Sequence, residues 1–119
     1  MYDETFRVAD ERITTDTVFR LLSHAYRRAL LDCLDDHGVP IAVADAAEAV
    51  AASNSTQSLD EIAAADVERV YVALHHVHVP MLAEAGVLEY DQDRNVVELT
   101  DLGADVVRVQ NRVSRVARE

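Results

Sequence analysis

The sequence predicts a mainly α, α+β domain: a helix-turn-helix closed by a short hairpin, with a further helix at the C-terminus. Three observations between Ser58 and Thr100 predict it. Apolar residues recur at helical spacing as Val67, Val70, Tyr71, Leu74, Val77 and Met81, one stripe facing a core. Gly86 comes after this run and suits a left-handed helix cap. Two strand-like segments, Val87 to Tyr90 and Val96 to Leu99, then flank the polar turn Asp91-Gln92-Asp93-Arg94-Asn95. A long helix leading into a hairpin is the back half of a winged helix-turn-helix, with a wing of two or three strands.

Residues 1–12 carry few apolar anchors and read as a flexible N-terminal arm. Residues 13–101 read as the winged helix-turn-helix domain. In it, Thr15 or Asp16 can cap a short helix with Val18, Phe19 and Leu22. Ser23 is the candidate cap of a second helix, carrying Ala25, Ala29, Leu30, Cys33 and Leu34 and ending at Gly38 before Pro40. Val43 to Ala52 is alanine-rich and helical by propensity, the first helix of the helix-turn-helix. The polar run Ser53 to Gln57 is a loop, longer than a tight helix-turn-helix needs. Ser58 with Glu61 fits a capping box that would open the long helix, and Pro80 should kink or break it. Thr100 or Asp101 can cap the last helix.

Residues 102–119 form that last helix. Leu102, Val106, Val109, Val113 and Val116 fall at spacings of four and three, a short heptad seam. Arg108, Arg112, Arg115 and Arg118 lie on its other faces. So short a helix is unstable alone, so the seam must pack. A second copy of the chain is the first choice of partner, and the chain's own N-terminal helices are the alternative.

The segment from Leu74 to Thr100 resembles the recognition-helix-plus-wing segment of ArsR- and MarR-type regulators. It is more closely similar to a haloarchaeal winged-helix family of unknown function. The phrases that carry the likeness are Leu74 to Leu82 (LHHVHVPML), Leu82 to Val87 (LAEAGV), and Leu21 to Arg28 (LLSHAYRR). The resemblance covers roughly residues 16 to 100. It implies that Val39 to Ala42 forms a short strand against the wing. The paired cysteines of ArsR-type metal sensors are absent, so metal sensing does not carry over.

Composition narrows the function. A chain of 119 residues is one domain by length, and its 50% hydrophobic content excludes disorder. No apolar run is long enough to span a bilayer, and the acidic start is no signal peptide, which points to the cytoplasm and away from membranes. The net charge is −11, from 22 acidic and 11 basic residues, and every basic residue is arginine. Carboxylates without lysine suit a protein kept soluble in high salt. An acidic domain is a poor partner for phosphates at ordinary salt, but in molar salt the Debye length is about 3 Å and local arginines can suffice.

Enzyme chemistry finds no foothold: there is no phosphate-binding glycine loop, no nucleophile elbow and no cofactor motif. Cys33 reads as a small buried hydrophobe. His75 and His78 share a face on a regular helix and could supply two metal ligands, but no third ligand has diagnostic spacing. The simpler reading packs His78 in the apolar stripe and leaves His75 and His76 outside.

For double-stranded DNA the candidates make a thin base-reading set. A recognition helix from Glu68 to Val79 would expose Glu68, Arg69, Val72, His75 and His76. Arg69 can grip guanine or a phosphate, and either histidine can hydrogen-bond a base. Arg94 and Asn95 sit at the wing tip, and Arg27 and Arg28 can touch phosphate. Each arginine also has a plain reading as solvated surface charge. The sequence thus supports three functions in competition: a homodimeric DNA-binding regulator, a winged-helix module that binds protein, and a metal-responsive regulator.

Overall fold

The computed structural model describes residues 13–117. The predicted arm, together with Arg118 and Glu119, lies outside them. The described residues form six α-helices and a three-stranded antiparallel sheet in an order that is winged-helix-like.

Helix α1 (Thr15–Leu21) is capped by Thr14, whose hydroxyl accepts the Thr17 amide at 3.1 Å. Helix α2 (Ala25–His37) is capped by His24 rather than Ser23: its ring Nδ1 accepts the Tyr26 amide at 3.0 Å. Leu30, Leu31 and Leu34 bury one face of α2. Strand β1 (Ile41–Ala42) leads directly into α3 (Val43–Ser53). β1 pairs with β3 (Val96–Leu99), which also pairs with β2 (Leu88–Asp91), so the order is β1-β3-β2. The strand implied by the resemblance is present, but only as Ile41–Ala42 rather than from Val39, and closes one side of the wing.

The capping box at Ser58 exists, with the Ser58 amide donating to the Glu61 carboxylate at 3.1 Å. It opens a single 3₁₀ turn, Leu59–Glu61, not the long helix. Ile62 is extended and packs, half-buried, against the core, which breaks the helical path. Helix α4 (Ala64–Ala73) starts only after that.

The end of α4 departs most from the periodic pattern. Leu74–His78 is a π-type turn, in which the Val79 amide bonds to the Leu74 carbonyl. Helix α5 (Val79–Glu84) continues from it without leaving helical backbone angles. Pro80 supplies a reason. It has no amide to give the His76 carbonyl, and its ring crowds that carbonyl in a regular helix. A wider turn relieves both, as single π turns within helices do. The chain therefore passes through Pro80 without a break in the helix. The inserted residue also rotates the adjoining side chains: Val77, expected in the apolar stripe, is 50% exposed, while His78 is 4% and Val79 1% exposed.

Helix α6 (Asp101–Ala117) is fastened at its start. The Thr100 hydroxyl donates to the Gly86 carbonyl at 2.7 Å and accepts the Gly103 amide at 3.0 Å. Gly103 is inside the first turn of α6. A Cβ there would overlap the Val87 carbonyl oxygen and press on Leu99, so only glycine lets α6 lie this close to the sheet. Leu102, Val106 and Val109 are buried. α6 packs against α2 and β3, and Gln110 reaches across to Asp32 at 2.6 Å. The first three residues of the expected dimer seam are therefore spent inside the chain. Val113 and Val116 remain exposed, at 40% and 86%.

Candidate nucleic-acid interface

Two polar clusters set the position of α4. The first joins it to the wing. Asn95 lies at the end of the β2–β3 turn with φ 55, a left-handed angle that asparagine tolerates better than most residues. Its side-chain amide donates to the Tyr71 hydroxyl at 2.8 Å, and its carbonyl oxygen accepts from the Tyr90 hydroxyl at 2.8 Å. Its backbone carbonyl accepts the Val43 amide at 3.0 Å, at the start of α3. One residue thus ties α3, α4 and the hairpin together. His75 completes the cluster, stacked on Tyr71 and edge-on to Tyr90, with Nε2 3.3 Å from the Tyr90 hydroxyl. Because Tyr90 spends its proton on Asn95, His75 must donate through Nε2–H in that contact.

The second cluster lies where the π-type turn after α4 meets the end of α1. Arg27 is 6% exposed. Its guanidinium donates to the Leu21 carbonyl at 2.8 Å and the Arg20 carbonyl at 3.0 Å, both at the end of α1. It also lies 3.1 Å from His78 Nδ1, which must accept, since arginine has only donors. His78 is held neutral, its pKa lowered to about 4 by burial, then by His24 and Arg27. The His24 ring lies 4.3 Å from that of His78, and its own pKa is also lowered, chiefly by burial. Arg28 donates to the Leu22 carbonyl at 2.7 Å. The adjacent arginines therefore satisfy the carbonyls that α1 leaves open at its end, and their charge suits the negative pole there.

These contacts sort the residues expected to meet DNA. Arg27 is unavailable, being buried, and Arg28 is exposed but holds the Leu22 carbonyl through one guanidinium nitrogen. His75 and Asn95 brace the wing and only partly reach solvent. Arg69, His76 and Arg94 are exposed. Arg69 pairs with Asp66 one turn earlier, an exposed contact of little energetic weight. The Arg94 amide donates to the Asp91 carboxylate at 3.2 Å, which shapes the wing tip and leaves its guanidinium outside. Exposed acids stand beside these residues: Glu68 on α4, Asp91 and Asp93 on the wing.

His75 and His78 do not share a face. The π turn separates them, sending one ring to the wing and the other to Arg27. Among the described residues, no group of three or more His, Cys, Asp or Glu is placed to hold a metal ion. Cys33 is half-buried against the core, and burial pushes its thiol pKa up. Among the described residues, no helix is long and apolar enough to cross a membrane.

The sequence reading missed Tyr71 and Tyr90 as polar partners. The signal was present: Tyr71 and His75 are four apart on a helix, and Tyr90 shares a strand face with buried Leu88. What the pattern could not give is the left-handed turn that swings Asn95 between them.

A family model described as a domain of unknown function, DUF7344, matches residues 19–98, and the chain belongs to that family. No curated protein and no solved structure matches the chain. The matched segment holds both polar clusters and the wing, and α6 comes after it.

Proposed function

We propose that this chain is a DNA-binding transcriptional regulator of a halophilic archaeon, working in the cytoplasm as a homodimer. Helix α4 is the recognition helix and the β2–β3 hairpin its wing. The observation that carries the reading is the bracing of the wing onto α4 through Tyr71, His75, Tyr90 and Asn95. A winged helix reads a duplex by laying one helix in the major groove while the hairpin meets the backbone, and that needs a fixed angle between them. On this reading Arg69 and His76 face base edges and phosphates, and Arg94 reaches the backbone or minor groove. Arg69 can exchange its exposed contact with Asp66 for a phosphate at small cost. The dimer contact falls to the free end of α6, at Val113 and Val116.

The test is selection of genomic fragments on the purified protein in molar potassium chloride. A single recurring, roughly palindromic sequence is expected, with affinity that drops in Arg69→Ala and Arg94→Ala. Retention of nothing above background from the folded protein would refute the reading. The acids around Arg69 and Arg94 favour one second reading, a module that binds a protein partner. That reading expects a stable complex in cell extract after nuclease treatment.

A further inference from the structure

Helices α3 and α4 are separated by a shallow groove of about 540 Å³. Its floor is Ala44 and Ala47 from α3, Val67 and Tyr71 from α4, with Ile62 and the 44%-exposed Leu59 at one end. Each helix contributes residues three and four apart, so the floor is a continuous apolar strip. Glu48 stands on the α3 wall and Glu68 on the α4 wall. Among the described residues neither glutamate has an ion-pair partner.

The free end of α6 has the complementary character. Residues 111–117 are all exposed, beyond the stretch of α6 that is buried on its own chain. Val113 and Val116 form an i, i+3 apolar pair that continues the stripe buried further back. Arg108, Arg112 and Arg115, spaced four and three, run along one flank of that stripe. Arg112 and Arg115 have no ion-pair partner among the described residues. This is a basic amphipathic helix end on a chain of net charge −11, and the groove is an apolar strip with acidic walls.

We infer that the α3–α4 groove is the seat for the free end of α6 from a second copy of this chain. Val113 and Val116 lie on the apolar floor, as anchors of a helix laid in a groove. The arginine flank meets the Glu48 wall or the Glu68 wall according to the sense in which the helix lies. Reciprocal seating of two tails gives a closed twofold dimer. It also gives Glu68, an acid awkwardly placed on a DNA-reading helix, a partner other than phosphate. The alternative of two α6 ends packed on each other sets like charges side by side. The inference rests on the homodimer proposed above and not on DNA binding.

The experiment is sedimentation equilibrium of the full chain without DNA, in molar potassium chloride and at the lowest salt that keeps it folded. Wild type is compared with Glu48→Arg/Glu68→Arg, with Arg112→Glu/Arg115→Glu, and with the two sets combined; circular dichroism checks folding. All these positions lie on the surface. Each reversal alone is expected to weaken the dimer by roughly tenfold or more, and the combination to restore it. A wild-type monomer would overturn both the dimer and the seat. A dimer indifferent to the Glu48/Glu68 reversal, or tightened by the Arg112/Arg115 reversal alone, would overturn the seat and leave α6-to-α6 pairing.

Discussion

Replacing Asn95 separates two contributions that meet at one residue. Asn95→Gly keeps the left-handed backbone but removes the side-chain bonds to Tyr71 and Tyr90. Each such bond is worth about 1 kcal/mol net, and the two hydroxyls, being half-buried, can turn to water. The glycine variant should therefore lose about 2 kcal/mol. Asn95→Ala loses the same bonds and must also hold φ 55 with a Cβ, which adds about 1 kcal/mol. Its loss should be about 3 kcal/mol. The assay is denaturant unfolding at fixed potassium chloride, with the midpoint and slope fitted together. Tyr90→Phe gives a third point at about 1–2 kcal/mol, since it leaves the Asn95–Tyr71 bond in place but removes the bond to Asn95 and the longer contact with His75.

The ordering Ala worse than Gly is the informative result. Equal losses would refute the backbone argument. Losses within about 0.5 kcal/mol of wild type in both would show that the network contributes nothing to folding. If DNA binding is confirmed, the glycine variant should also weaken it more than its stability loss explains, because the wing is freed while Arg69 and Arg94 remain.

The buried cluster and the sheet contact give three further outcomes. His78 resists protonation down to about pH 4 when folded, against an ordinary value of 6.5. The unfolded chain takes that proton first, so this stability is full above pH 6.5 and is lost as pH falls toward 4, by about 3 kcal/mol at most. Unfolding measured across that range should show a shallower fall in His78→Gln, and an unchanged slope would refute the assignment. Arg27→Lys should cost about 3 kcal/mol, because one ammonium cannot reach two α1 carbonyls and His78 at once, and a thermal midpoint near wild type would contradict it. Gly103→Ala, ordinarily favourable in a helix, should instead destabilise by about 2 kcal/mol or more through its overlap with the Val87 carbonyl, and a neutral or raised melting point would show that α6 can lift off the sheet.

The sequence's long-range pattern was legible where one physical rule acted alone. Two strand-like segments around a polar turn, with the cap at Gly86 before them, placed the hairpin, and helical spacing placed α2 and α6. Errors arose where a second rule intervened. Ser58 and Glu61 formed their capping box, yet Ile62 turned toward the core and ended the turn. Val77 fits the helical stripe, yet the wide turn before Pro80 rotates it outward. The seam from Leu102 to Val116 is a real periodicity, but spacing does not say whose surface covers it. The candidate site suffered most, because arginine and histidine look alike in a sequence whether they face solvent or carbonyls. Arg27 is spent on α1, whereas Arg69 stays at the surface beside Asp66; only the position of α1's end distinguishes them.

That distinction bears on what the two most recognisable phrases of the chain are for. LLSHAYRR and LHHVHVP meet in space, where Arg27 from the first bonds His78 from the second. The joint needs each peculiarity: Arg27 to hold the end of α1, the wide turn to bring His78 inward, and Pro80 to favour that turn. Its product is the angle at which α4 leaves the core, and the Asn95 cluster then fixes the wing to α4. Both phrases lie within the segment that the family model matches. On the proposed function, target choice would then fall to exposed residues such as Arg69, His76 and Arg94, and pairing of copies to α6. Substitutions at the joint should therefore change stability and all binding together. Substitutions at Arg69 or Arg94 should change binding at constant stability, which makes the two roles separable in a single set of variants.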